Sequence, residues 1–76
     1  MRIDVKLYGD LKKYAPGEQA SFMLTLEPGA TLADVLNRLA IPDAHYLSLI
    51  NGRRANKEAR FGGGDTLVLL PPISGG

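Results

Sequence analysis

Ile3, Val5 and Leu7 alternate with Arg2, Asp4 and Lys6, the period of two that a strand with one buried face requires. The same alternation puts Tyr8 on the outer face. A second alternating stretch covers residues 20–26, with Phe22, Leu24 and Leu26 inward, after a break at Tyr14-Ala15-Pro16-Gly17. The two stretches can pair as a hairpin with a long connection, and Leu11 and Tyr14 within that connection sit three apart, which predicts one or two helical turns. Pro28-Gly29 ends the second strand by turn chemistry. Thr31 then reads as a helix N-cap with Asp34 as the acidic residue of a capping box, and Leu32, Val35, Leu36 and Leu39 follow at helical spacing. A helix laying one apolar stripe on a sheet is predicted, with Asn37 and Arg38 facing water and Pro42 as its stop. Residues 46–50 form a third strand. Asn51-Gly52 predicts a tight hairpin, since a type I′ turn needs positive φ at both central residues, and a short basic strand over residues 53–55 comes after it. Phe61 returns to the core before Gly62-Gly63-Gly64-Asp65, and residues 66–70 make the last strand. This order, β, β, α, β, β, β with one main helix, is an α+β layout with the helix packed across one face of a single sheet.

Composition narrows the chemistry that such a domain can host. A chain of 76 residues is one domain, and at this size it buries only roughly 60% of the surface its unfolded chain exposes, too little for a large active site. There is no cysteine, which removes disulfides, thiolate metal sites and a cysteine nucleophile. Lys+Arg 9 against Asp+Glu 8 leaves no global field to recruit nucleic acid or membrane. The charged start Met1-Arg2-Ile3-Asp4 and the lack of any long apolar run give no signal peptide or membrane span, so cytoplasm is the default location.

The end of the sequence is its most specific feature. The apolar run 67–70 leads into Pro71-Pro72, then Ile73, Ser74, Gly75 and Gly76. Proline fixes φ and lacks an N–H, so the diproline cannot continue a ladder and holds the last four residues off the body. Glycine has no Cβ, so Gly75-Gly76 is the thinnest peptide that can bring a main-chain carboxylate into a narrow channel. Together with Leu7-Tyr8-Gly9, Leu11, Lys12, Ile50-Asn51-Gly52, Phe61 and Gly64-Asp65, this tail resembles the ubiquitin-like, β-grasp sulfur carriers. The likeness is strongest to the small subunit of molybdopterin synthase, with the thiamine-pathway sulfur carrier a near cousin. It spans the whole chain and implies a β-grasp domain over 1–70 and an extended reactive tail over 71–76.

The resemblance also implies a mechanism. An adenylyltransferase resembling the ubiquitin-activating enzymes, using ATP and magnesium bound on itself, would adenylate Gly76. A sulfur-donor protein would displace AMP and leave a thiocarboxylate, which needs no side-chain nucleophile on the carrier. The molybdopterin synthase large subunit would then receive the tail, and the chain would act as sulfur-donating cosubstrate, not as a catalyst alone. Tyr8, Val68, Leu70, Pro71, Pro72, Ile73, Ser74 and Gly75 would contact partners, with Lys12, Arg53 and Arg54 as electrostatic contacts. Because Val68 and Leu70 alternate with Leu67 and Leu69, one pair must point away from the helix. The outward pair with Tyr8 reads either as a docking patch or as ordinary half-exposed sheet residues. A carrier for thiamine or a tungsten-pterin, a protein modifier joined through Gly76, and a plain ubiquitin-like interaction domain are the other readings.

Remaining features carry less. Gly62-Gly63-Gly64 precedes a strand and lacks the Lys-Ser/Thr of a phosphate loop, so it reads as a turn. Arg53, Arg54, Lys57 and Arg60 lack interleaved aromatics for nucleic acid and read as a charged edge, or as a face for an acidic partner. His45, the only histidine, has no ligand companions at metal spacing and falls on the link between helix and third strand. Asp4, Asp10, Asp34 and Asp65 are scattered and form no acid/base pair.

Overall fold

In the computed structural model, residues 1–42 and 46–72 are described. Strands β1 (Arg2–Leu7), β2 (Ser21–Thr25), β3 (Leu47–Ile50), β4 (Arg53–Arg54) and β5 (Thr66–Leu70) form one sheet in the order β2-β1-β5-β3-β4. β1 and β5 run parallel at its centre, and the other pairs are antiparallel. Helix α1 (Leu32–Arg38) is the only α-helix among the described residues. The connection after β1 is a 3₁₀ segment over Gly9–Tyr14, with Leu11 turned into the core. This is the mixed sheet and single helix of the β-grasp fold.

Ile3, Val5, Leu7, Leu67 and Leu69 are wholly buried on the helix side of the sheet, against Leu32, Val35 and Leu36 of α1, and Phe61 and Ile41 close the ends. The capping box forms as expected: Thr31 Oγ1 accepts from the Asp34 N–H at 3.3 Å while Asp34 Oδ2 accepts from the Thr31 N–H at 2.9 Å. The next two unpaired N–H groups of the helix start, on Leu32 and Ala33, donate to the Ala59 and Lys57 carbonyls at 2.9 and 3.0 Å. The loop after β4 therefore crosses the helix N-terminus and supplies acceptors that a short helix lacks.

Pro42 is not what stops the helix. Ala40 adopts φ 58, its N–H donates to the Asn37 carbonyl at 3.1 Å, and the Ile41 N–H reaches back to the Leu36 carbonyl at 2.9 Å. This is a Schellman motif built on alanine where glycine is usual, so no residue type announced it. Arg38 is exposed as expected, and its guanidinium donates to the Thr25 carbonyl at the end of β2. The hairpin turn carries φ 52 at Asn51 and φ 81 at Gly52, the type I′ pattern. No helix among the described residues is long and apolar enough to cross a membrane.

Candidate functional site

Strand β5 has one face in the core and one outside. Leu67 and Leu69 are fully buried, whereas Val68 and Leu70 are half-buried on the other side. Register builds a surface around them. Val68 stands between Lys6 of β1 and Leu49 of β3, Leu49 pairs with Arg54 of β4, and Leu70 pairs with Leu47. The Tyr8 N–H donates to the Leu69 carbonyl at 3.2 Å, which brings Tyr8 level with Leu70, and its side chain is 46% exposed. The outward face is thus an apolar strip of Tyr8, Leu47, Leu49, Val68 and Leu70, with Lys6 on one flank and Arg54 on the other.

Lys6, Leu47 and Leu49 were not among the residues expected from sequence. Both parities of β3 carry apolar side chains, Tyr46 and Ile50 on one and Leu47 and Leu49 on the other, so alternation cannot choose a face. Pairing decides it: Ser48 lies opposite the buried Leu69 and is itself buried, which turns both leucines outward. The same register separates Arg53 from Arg54. Arg53 pairs with Ile50, on the helix side of the sheet, and Arg54 alone of the two shares the apolar strip's face. Arg53, Arg54 and Arg60 edge an open hollow of about 370 Å³ with Glu58. Lys12 is exposed on the 3₁₀ segment that comes after Tyr8.

The root of the tail lies where this strip ends. Pro71 is half-buried and Pro72 exposed. With Leu47 and Leu70 the two prolines line an apolar hollow of about 390 Å³. Gly9 has φ +60, and a Cβ placed there would stand 2.9 Å from Pro71 Cγ. Ile73, Ser74, Gly75 and Gly76 lie outside the described residues, as does His45.

The triglycine is a turn in which two of the three amides, those of Gly62 and Gly64, are already engaged. The Gly62 N–H donates to Asp65 Oδ2 at 2.7 Å and the Gly64 N–H to the Arg2 carbonyl at 2.8 Å, so these two amides are turned to the protein and not to a ligand. Asp65 also accepts from Asn51 Nδ2 at 2.9 Å, and Asn51 Oδ1 accepts from the Thr66 N–H at 3.0 Å. The bond from the Gly62 amide, aided by that from Asn51, holds the Asp65 carboxyl below its ordinary range. Turn, hairpin and start of β5 are thereby tied together, at the opposite end of β5 from the tail. Among the described residues no three His, Cys, Asp or Glu side chains gather to hold a metal ion.

A comparison with protein-family models matches the ThiS family over residues 5–76. The chain belongs to the ThiS family. No curated protein matches it. Among solved structures, SAMP1 from Haloferax volcanii is 26% identical with TM-score 0.82, each chain covered over 100% of its length. A proposed molybdopterin converting factor subunit 1 from Pyrococcus furiosus is 18% identical, with TM-score 0.80 over 95% of this chain and 98% of that one. A chain of the complex of molybdopterin-converting factor subunits 1 and 2 from Helicobacter pylori is 20% identical with TM-score 0.69, both chains covered over 100%. The last two likenesses are of fold. This ThiS-family chain is a ubiquitin-like β-grasp protein of the sulfur-carrier or modifier kind.

Proposed function

We propose that this protein is a sulfur carrier that works through the carboxylate of Gly76 and donates sulfur as the small subunit of a molybdopterin synthase. The observation that carries the proposal is the outward apolar strip running to the tail root at Pro71 and Pro72, in a chain that belongs to the ThiS family. A partner seated on that strip would receive the tail directly.

The steps are dictated by the chemistry of a carboxylate. It is a poor acyl donor, so a partner adenylyltransferase must first join it to the α-phosphate of ATP, with magnesium held on that enzyme and pyrophosphate released. The outer sulfur of a persulfide on a donor protein then attacks the acyl carbon and AMP leaves, giving an acyl disulfide with the donor. A second donor thiol cleaves its S–S bond, the donor ending as a disulfide and the terminus as a thiocarboxylate, an anion and a better nucleophile than the carboxylate it replaces. The domain contributes no catalytic side chain. Tyr8, Leu47, Leu49, Val68 and Leu70 bind, Lys6 and Arg54 favour a partner with an acidic rim, and Pro71 and Pro72 aim the terminus that carries Ile73, Ser74, Gly75 and Gly76. Lys12, on the turn beside the tail root, adds to the positive rim. The large synthase subunit is the proposed acceptor of the tail, and the fold likeness to the converting-factor complex supports that choice.

Conjugation to proteins is the second reading, favoured by the match to SAMP1, a small archaeal modifier protein, at 26% identity. Both readings share the adenylate and differ in what attacks it, donor sulfur or a lysine amine. The deciding experiment incubates the chain with an activating enzyme that loads another family member in parallel, plus ATP and a sulfur donor. Intact mass should show one oxygen replaced by sulfur, confined to the C-terminal peptide. An unchanged mass beside a loaded control overturns the carrier reading, and Gly76-dependent ladders on other proteins would establish the modifier.

A further inference from the structure

Two glycines of this chain share a backbone conformation and differ in surroundings. Gly9 has φ +60 and Gly17 has φ +63, both in the left-handed region that disfavours side chains. Around a Cβ at Gly17 there is open space to 4 Å, whereas at Gly9 three ring carbons of Pro71 stand at 2.9, 3.6 and 3.6 Å. Conformation alone explains a glycine at 17. At 9 there is a second reason, and it concerns the tail.

We propose that Gly9 is a positioning residue for the reactive terminus: its bare Cα is the seat on which the Pro71 ring rests, and that seat sets the direction in which the chain leaves the domain at Pro72. The inference deepens the proposed function and rests on it. A pyrrolidine ring has no free side-chain torsion with which to swing aside, so a Cβ at residue 9 must change the pucker of the Pro71 ring, displace the Pro71 backbone or move the turn that carries residue 9. Gly9 is itself well anchored. It is preceded by Tyr8, whose N–H is bonded to the Leu69 carbonyl and whose carbonyl accepts from the Leu11 N–H at 3.2 Å, and Leu11 is buried. The tail root is therefore held from two sides, by the end of β5 and by the turn after β1. Five residues follow Pro71 in the chain and reach at most about 18 Å. A small tilt at the root thus becomes a shift of ångströms at the carboxylate, and misplacement by about 1 Å can cost a reacting group on the order of a hundredfold in rate.

Gly9→Ala, Gly17→Ala, Pro71→Ala and the pair Gly9→Ala with Pro71→Ala test this. Gly9→Asn serves as a second form, since asparagine accepts positive φ and still brings the Cβ. One arm uses the free chain. In NMR spectra, Gly9→Ala and Gly9→Asn should remove the Gly9 to Pro71 Overhauser contacts and shift the Leu70 and Ile73 amides, and Gly17→Ala should leave those signals in place. The other arm measures adenylation by ATP–pyrophosphate exchange. Gly9→Ala should lower kcat about tenfold with KM within about twofold, because the docking strip is untouched and only the aim of the terminus changes. Gly17→Ala should match the parent chain. On a Pro71→Ala background, which lacks the obstructing ring carbon, Gly9→Ala should add no further loss. Equal effects of Gly9→Ala and Gly17→Ala in either arm, or an undiminished Gly9→Ala effect in the Pro71→Ala background, overturn the proposal. A parent chain that accepts no AMP overturns the proposed function instead, and the NMR arm still decides the role of Gly9.

Discussion

Leu69 and Leu70 are the same residue type, adjacent in one strand. Leu69 is wholly buried among Val35, Leu36 and the other core side chains, whereas Leu70 is half-buried beside Leu47 and the two prolines at the root of the tail. One leucine belongs to a face covered by a helix, the other to a face that no helix or strand among the described residues covers. The helix side of the sheet holds the fold together; the outward side runs to the root of the tail and is the proposed docking face. A domain with a single helix has only one layer with which to cover two faces.

The contrast between the two faces breaks most visibly at Leu69. Leu69→Ala should cost about 3 kcal/mol of stability, a cavity in a core with little to spare, and lower the thermal midpoint on the order of 15 °C. Leu70→Ala should cost less than about 1 kcal/mol in the same melt, because half of that side chain is already in water. In titrations against the activating enzyme or the synthase large subunit the ranking should reverse. Leu70→Ala or Tyr8→Ala should weaken Kd about tenfold, and a Tyr8→Ala variant that loses stability more than affinity would move Tyr8 from the docking face into the core.

Changes remote from both faces sharpen the contrast by leaving binding alone. Ala40→Gly should add about 0.5 kcal/mol by relieving the φ 58 strain at the helix end, with Kd unchanged. Asp65→Asn should have the smallest effect and a pH dependence. The folded-state pKa of Asp65 lies below the ordinary 3.8, so its stabilisation is complete above that value and fades as pH falls through the folded pKa. The parent chain should therefore melt slightly higher than Asp65→Asn near neutrality, with the gap closing below about pH 4. A gap that widened in acid would mean that the carboxylate is not the braced form.

Much of the architecture was legible in the chain. Alternation located β1 and β2, the Thr31 and Asp34 pair marked the helix start, and Asn51-Gly52 marked the hairpin, because each is a local rule satisfied within a few residues. The helix end was not legible, since the Ala40 Schellman turn uses no residue that signals a left-handed conformation. The docking face was half legible. Tyr8 could be placed outward from the alternation of β1, whereas alternation in β5 showed only that one apolar pair faces away from the helix, and Leu47 and Leu49 were not expected on this face.

The sequence by itself determined the element order, the inward residues of β1 and β2 and the diproline-diglycine end, all properties of local torsion preference and short-range periodicity. Tertiary structure alone decided which face of β3 turned outward, which of Arg53 and Arg54 joined the apolar strip, and that Gly9 would meet Pro71. Those outcomes depend on register between strands distant in sequence, where a shift of one residue exchanges the faces, and on a contact between residues 9 and 71 that only the parallel pairing of β1 with β5 creates.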